Sequence, residues 1–294
     1  MADMLDMTFV ENTIRQLEAV RYIRVVVTSM VLYDYLITFD REVHLIWKRR
    51  LSIPCLLFLA IRYYALFVSI VGDYALFTPN ISDQLCTSNL RWELCNAYIF
   101  TILTEIILQI RLHALYKQSK LILTFMIVCF ISATAVSGWY LSKDFKSAVS
   151  FPFTIGIMSA CSFPTFPKET FAVYIPVLAF EVVLCILALY KGFETFVLEG
   201  LSRNMGKGLL WTFCRDSVIL FLIPGLCYTA CLVVWLKTPN AYIEIPATFA
   251  QGLVAILCGR TILNLREAAS SDDYTITGES LPIFSGHVTR GDNV

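Results

Sequence analysis

Apolar residues in this chain fall in long unbroken runs, not in strict alternation. Seven runs of 17–21 residues stand out, at 22–39, 54–71, 94–110, 121–141, 171–190, 217–235 and 245–263. About 20 apolar residues in a helix cross the ~30 Å hydrocarbon layer of a bilayer. An unpaired backbone amide in lipid costs several kcal/mol, so such runs form helices or the strands of a closed barrel. Barrel strands alternate with period two and these runs do not, so helices are selected. The pattern predicts an all-α polytopic membrane protein with a bundle of seven transmembrane helices over residues 22–266. A polar segment, 1–21, precedes the bundle and a polar tail, 267–294, follows it. The seventh run is the most diluted, with Glu244 at its edge and Gln251 and Arg260 within it.

Composition agrees. The chain is 57 % hydrophobic and 16 % charged, with mean hydropathy +0.67, against roughly 45–50 % and about 25 % in soluble proteins. That much apolar surface excludes a water-soluble domain and a disordered chain. Net charge is zero, so nucleic acid is not an expected partner. The lipid bilayer is.

Orientation follows from the basic residues. With the N-terminus outside, the inner segments (40–53, 111–120, 191–208 and 260–294) hold 13 Lys and Arg, and the outer ones hold 7. The positive-inside rule then places the C-terminus in the cytoplasm. The strongest patch is Lys48-Arg49-Arg50 beside the second run. Residues 1–19 show no apolar signal-peptide core, so the first span is expected to insert as its own anchor. The sequon at Asn80 falls in an outer loop, a glycosylation site in this orientation. Segment 14–25 reads as an interfacial helix with Arg15, Glu18 and Arg21 on its polar face. The tail from Glu267 reads as disordered, with Ser and Thr positions open to phosphorylation.

Seven of the ten cysteines lie in the runs, where they act as small apolar residues. Cys86 and Cys161 lie in outer loops, where oxidation is permitted. Cys86 and Arg111 are separated by about 37 Å of helix, enough to mark the outer and inner lips of span three. A Cys86–Cys161 bond would tie the 142–170 loop over the bundle mouth; Cys95 is a competing partner, and three free thiols are the third reading.

Ionisable groups in hydrocarbon are costly and are functional candidates by default. Asp34, Glu105 and Arg62 lie about 8, 9 and 12 Å from the inner ends of their spans. A buried ion-pair cluster of Arg62 with Asp34 or Glu105 is therefore expected, either as a packing device or as a conformational lock. Thr101, Glu105 and Gln109 form an i, i+4, i+8 stripe that must face the bundle interior. Glu181 stands near mid-membrane in span five. Together with Glu105, Gln109 and Gln251 it makes a candidate ligand or proton path. Arg111, with Arg215 and Asp216 entering span six, makes a candidate inner-face switch.

No catalytic constellation, metal-ligand spacing or cofactor motif appears. The three histidines (His44, His113 and His287) all fall outside the runs, which excludes a bis-histidine haem within the membrane. The seventh run has no lysine for a retinal Schiff base. GxSxG, Walker and GxGxxG patterns are missing, as are the two corresponding interrupted helices of a secondary transporter. No enzyme and no cofactor are expected.

The motif YDYLITFDREV at 33–43, followed by Ile46-Trp47, resembles the N-terminal signature of a large family of fungal membrane proteins. That family is abundant in mushroom-forming fungi and is defined by a domain of unknown function. The segments RLHALY at 111–116, RDS at 215–217 and GRTILNLRE at 259–267 are similar to later parts of its pattern. Ile61 and His113 depart from it. The resemblance implies a seven-span protein with residues 22–71 as the signature region, and it supplies no mechanism. Two functions are carried forward. One is a receptor-like signalling protein of the plasma membrane, taking a small ligand outside and a cytoplasmic signalling partner inside. The other is a small-solute or proton-coupled transporter, channel or lipid-handling protein.

Overall fold

The computed structural model describes residues 2–48, 52–78, 82–147, 151–155, 158–162, 170–201, 209–237 and 244–277. Among them are seven long helices: α1 (Ala2–Glu42), α2 (Ile53–Phe77), α3 (Asp83–Leu115), α4 (Lys120–Ser147), α5 (Tyr174–Leu201), α6 (Leu209–Lys237) and α7 (Glu244–Thr277). All but α6 contain a stretch long and apolar enough to cross a membrane, and α6 contributes the shorter apolar stretch Leu220–Val234. α1 is one continuous helix from Ala2, so the polar segment before the first span is helical too. α7 continues past Glu267 to Thr277, and the remainder of the expected disordered tail lies outside the described residues.

Local chemistry sets the helix ends. Pro54 occupies the first turn of α2, where its missing N–H costs nothing. Ser82 caps α3 by accepting from the Leu85 amide, and Asp83 adds negative charge at the positive end of the helix dipole. α1 ends in a single π-helical turn, Val43–Trp47, closed by the Lys48 amide on the Val43 carbonyl at 3.2 Å. The α3–α4 connection turns through Lys117 and Gln118, both left-handed with φ of 51° and 61°.

Consecutive helices pack side by side from α1 to α7, and α7 packs against α1 and α2 to close the ring. α3 also touches α5, α6 and α7, so it runs through the middle of the bundle. The core is aliphatic and aromatic, with Phe58, Ile61, Leu108, Leu112, Leu184, Phe221 and Leu263 fully buried. Large apolar side chains also cover the outside, among them Tyr33, Leu36, Ile70, Leu121, Ile186 and Leu226. Apolar residues outside and charges inside are the distribution expected with lipid as the solvent.

The sequence pattern did not anticipate one element. The connection between α4 and α5 contains an antiparallel hairpin, β1 (Phe151–Ile155) and β2 (Met158–Ser162), with Pro152 opposite Cys161. Cys161 is bonded to Cys86 at the start of α3, across a Cα–Cα distance of 5.5 Å. This selects one of the three cysteine readings and leaves Cys95 free.

Candidate functional site

Polar groups concentrate at three levels of the bundle. One stripe of α1 builds two of them. Val20, Arg24, Val27, Val31, Asp34, Thr38 and Glu42 recur every three or four residues, and all are buried. The stripe carries a cation near one end and two carboxylates near the other.

The densest cluster lies toward the end of the bundle opposite the disulfide. Arg62 of α2 reaches into α1, where its Nη2 donates to Thr38 Oγ1 at 2.7 Å and to the Tyr35 carbonyl at 3.0 Å. Its Nε stands 2.9 Å from Glu42 Oε2, too poorly aligned for a hydrogen bond, so this is a charge contact. Glu42 Oε1 accepts from Tyr63 OH and Trp47 Nε1, each at 3.0 Å. Asp34 lies 3.9 Å from Arg62 and accepts from Arg260 Nε of α7 at 2.6 Å. The guanidinium of Arg62 also sits over the rings of Tyr35 and Phe58. Two carboxylates and two guanidiniums thus form a neutral set joining α1, α2 and α7. A buried charge is tolerable only when paired in this way.

The expected Arg62–Asp34 pairing is present in this set, but Glu105 is not part of it. The main partner of Arg62 is Glu42, which the sequence pattern places at the start of an inner loop. In the structure α1 extends to Glu42, and this carboxylate has 0 % exposure. The reason is helical phase: Glu42 lies four residues after Thr38 and eight after Asp34, on the stripe that faces α2. Arg260, which on sequence only dilutes the seventh run, supplies the second cation.

At the disulfide end, Arg24 of α1 donates to Glu93 Oε1 of α3 at 2.8–2.9 Å and to Glu244 Oε1 of α7 at 2.7 Å. Arg24 is missed as a site on sequence because a lone arginine in an apolar run gives no partner. Below it lies a cavity of about 30 Å³, lined by Thr28, Tyr64, Glu93, Asn96 and Gln251 among others. Tyr64 OH donates to Asn96 Oδ1 at 2.6 Å there. Gln251 therefore lines a polar chamber, one sized for about one water. Glu244, seven residues earlier, is tied up by Arg24.

The third level lies between them. Glu105 of α3 and Glu181 of α5 are 2 % and 1 % exposed, and their carboxyls are electrostatic neighbours. No N–H or O–H donor among the described residues reaches any of their four oxygens. Tyr228 OH of α6 donates to Thr101 Oγ1 at 3.4 Å. Glu105 and Gln109 are buried as their stripe predicts, while Thr101 is half-buried. Among the described residues no group of three or more metal-ligating side chains forms.

Arg111 is buried near the end of α3. The side chains of Arg215 and Asp216 lie outside those described, as does Asn80, so the inner-face switch and the glycosylation site acquire no geometry here. Comparison with curated proteins gives no match. Residues 22–67 match the model of a family of unknown function, DUF6533. That match spans the second half of α1 and the first part of α2 and encloses Asp34, Thr38, Glu42 and Arg62. The chain is a polytopic membrane protein whose first two spans are similar to a domain of unknown function.

Proposed function

We propose that the protein is a receptor-like seven-helix signalling protein of the plasma membrane, with the disulfide end outside and no chemistry of its own. The observation that carries this reading is the placement of α3. Its first turn is tied through Cys86–Cys161 to the hairpin between α4 and α5, and its length crosses the centre of the bundle. Its far end carries Arg111. A ligand pressing on the hairpin would act on one end of a strut whose other end faces the cytoplasm. Two arrangements of such a strut, unequally favoured by ligand, are what a receptor needs. A disulfide belongs on the oxidising side of a membrane, and the basic loops lie at the other end, which supports the N-outside orientation. The resemblance to the fungal signature family fits this reading and adds no activity.

The test begins with topology in intact cells. Asn80 is expected to carry glycosidase-sensitive sugar, and a tag after Val294 to be shielded from added protease. Basal nucleotide exchange on heterotrimeric G proteins is then measured for the wild-type chain and Arg111→Gln. The reading expects altered exchange with no solute movement, and fails if the tag is exposed or exchange is unchanged.

The Glu105–Glu181 contact favours a second reading, a proton-coupled transporter. Two neighbouring acids at mid-membrane, with a polar chamber toward the disulfide end, are a start on a proton path. Glu181→Gln would then abolish pH-driven uptake while leaving G-protein exchange untouched.

A further inference from the structure

At the end of the bundle opposite the disulfide, the start of α2, the end of α3 and the second half of α7 enclose a cavity of about 480 Å³. Leu57, Ile107 and Ile262 form its aliphatic walls, and Arg111, Arg266 and Ser52 are its polar lining. Among the described residues no carboxylate lines it. The volume is within the ~300–1,000 Å³ typical of sites that hold small organic ligands.

Arg266 Nη1 donates to the Leu45 carbonyl at 3.1 Å and Nη2 to Ser52 Oγ at 2.8 Å. Both acceptors are neutral, so these bonds aim the guanidinium without cancelling its charge. Arg111 brings a second guanidinium to the same chamber. At this end Trp47 and Lys48 are exposed in the α1–α2 connection, a residue pair suited to the headgroup layer. Ile53 and Leu56 of α2 and Leu265 of α7 carry the apolar exterior to the same level. The cavity therefore lies where acyl chains meet phosphates, with cations and an apolar chamber side by side.

We propose that this cavity binds one anionic phospholipid, its phosphate on Arg266 and Arg111 and one acyl chain between α2, α3 and α7. Paired guanidiniums match a phosphate geometrically and electrically, and basic pockets between membrane helices recognise anionic headgroups. A peptide fits less well, because its backbone amides would find only the Ser52 hydroxyl and the guanidiniums in an otherwise aliphatic wall. The site does not depend on the signalling reading: a transporter would carry it equally well.

The experiment uses the full chain purified in neutral detergent and read by native mass spectrometry. Phosphatidylglycerol, phosphatidylcholine with the same acyl chains, and inorganic phosphate are added in turn. The expected result is preferential retention of phosphatidylglycerol, not displaced by an equal concentration of inorganic phosphate. Arg266→Gln is expected to weaken retention about fivefold, the effect of one basic residue on an anionic headgroup. Ala114→Trp, which fills the chamber and leaves both arginines in place, is expected to abolish it. A photo-crosslinking residue at position 114 of the otherwise wild-type chain covers the case in which a variant misfolds: in cells it should label lipid. Equal retention of the two lipids, indifference to both substitutions, displacement by phosphate alone, or labelling of a polypeptide from position 114 would each overturn the proposal.

Discussion

Arg62→Met is the sharpest test of the α1–α2–α7 charge cluster. The substitution keeps side-chain length and removes the cation that faces Glu42 at 2.9 Å. Glu42, at 0 % exposure, would be left with the two neutral donors Tyr63 and Trp47. Asp34 would keep Arg260 at 2.6 Å, so only one carboxylate is stranded. Breaking a buried pair by removing one partner costs about 3–5 kcal/mol. The two surviving hydrogen bonds to Glu42 place Arg62→Met at the lower end, about 3 kcal/mol. For a chain of this size that is roughly a 6–12 °C fall in Tm. Glu42→Gln leaves Arg62 its bonds to Thr38 and the Tyr35 carbonyl and its contact with Asp34, so it should cost less, about 1–3 kcal/mol. The double variant should recover part of the loss, because no unpaired charge remains in the core. A coupling of about 2 kcal/mol is expected from contacting residues. The assay is thermal unfolding of the purified full chain in micelles, followed by tryptophan fluorescence. A wild-type Tm for Arg62→Met, or two single losses that simply add, would refute the reasoning.

Three further outcomes follow from the same geometry. Cys86→Ser opens a closure spanning a sequence separation of 75 residues, worth at most about 4.5 kcal/mol by chain entropy; because the spans stay confined in the bilayer, a smaller loss is expected, read as a Tm drop that reductant reproduces in the wild type and not in the variant. Gly72→Val places methyl groups where the Arg24 guanidinium lies, with even its Cβ only 3.2 Å from Glu93 Oε1; it should cost about 1–3 kcal/mol by overpacking, and a denaturation midpoint equal to wild type would contradict the Arg24 contacts. Glu105→Leu alone leaves Glu181 buried without its partner and should lower Tm, whereas the double variant to leucine should lie closer to wild type; additive losses on scanning calorimetry would show that the two carboxyls do not meet.

Much of the fold was legible because lipid imposes a one-dimensional rule. A run of sufficient apolar length must be a helix, whatever its neighbours, since its backbone has no other way to satisfy itself. Six spans could be read this way, and so could the burial of Asp34, Arg62, Glu105 and Glu181, because charge is excluded from the lipid face. Depth along the helix put Arg62 within reach of Asp34. The same estimate offered Glu105 as an equal alternative, because depth carries no information on azimuth or helix order. Azimuth is what separates α3 and α5, which bring Glu105 to Glu181, from α1 and α2, which bring Arg62 to Glu42.

The sequence by itself determined the solvent, the helical class, the approximate spans and the two loop cysteines available for pairing. Only the tertiary structure decided which charges meet. Arg24 found Glu93 and Glu244 from α3 and α7, and Asp34 found Arg260, contacts separated by 69, 220 and 226 residues along the chain. It also decided that Glu42 is core and not loop, and that Cys161 sits on a hairpin facing Cys86. The physical reason is that insertion depends on the hydropathy of each segment, a local property. Pairing depends on the rotation and order of helices around the ring, and hydrophobic length says nothing about either.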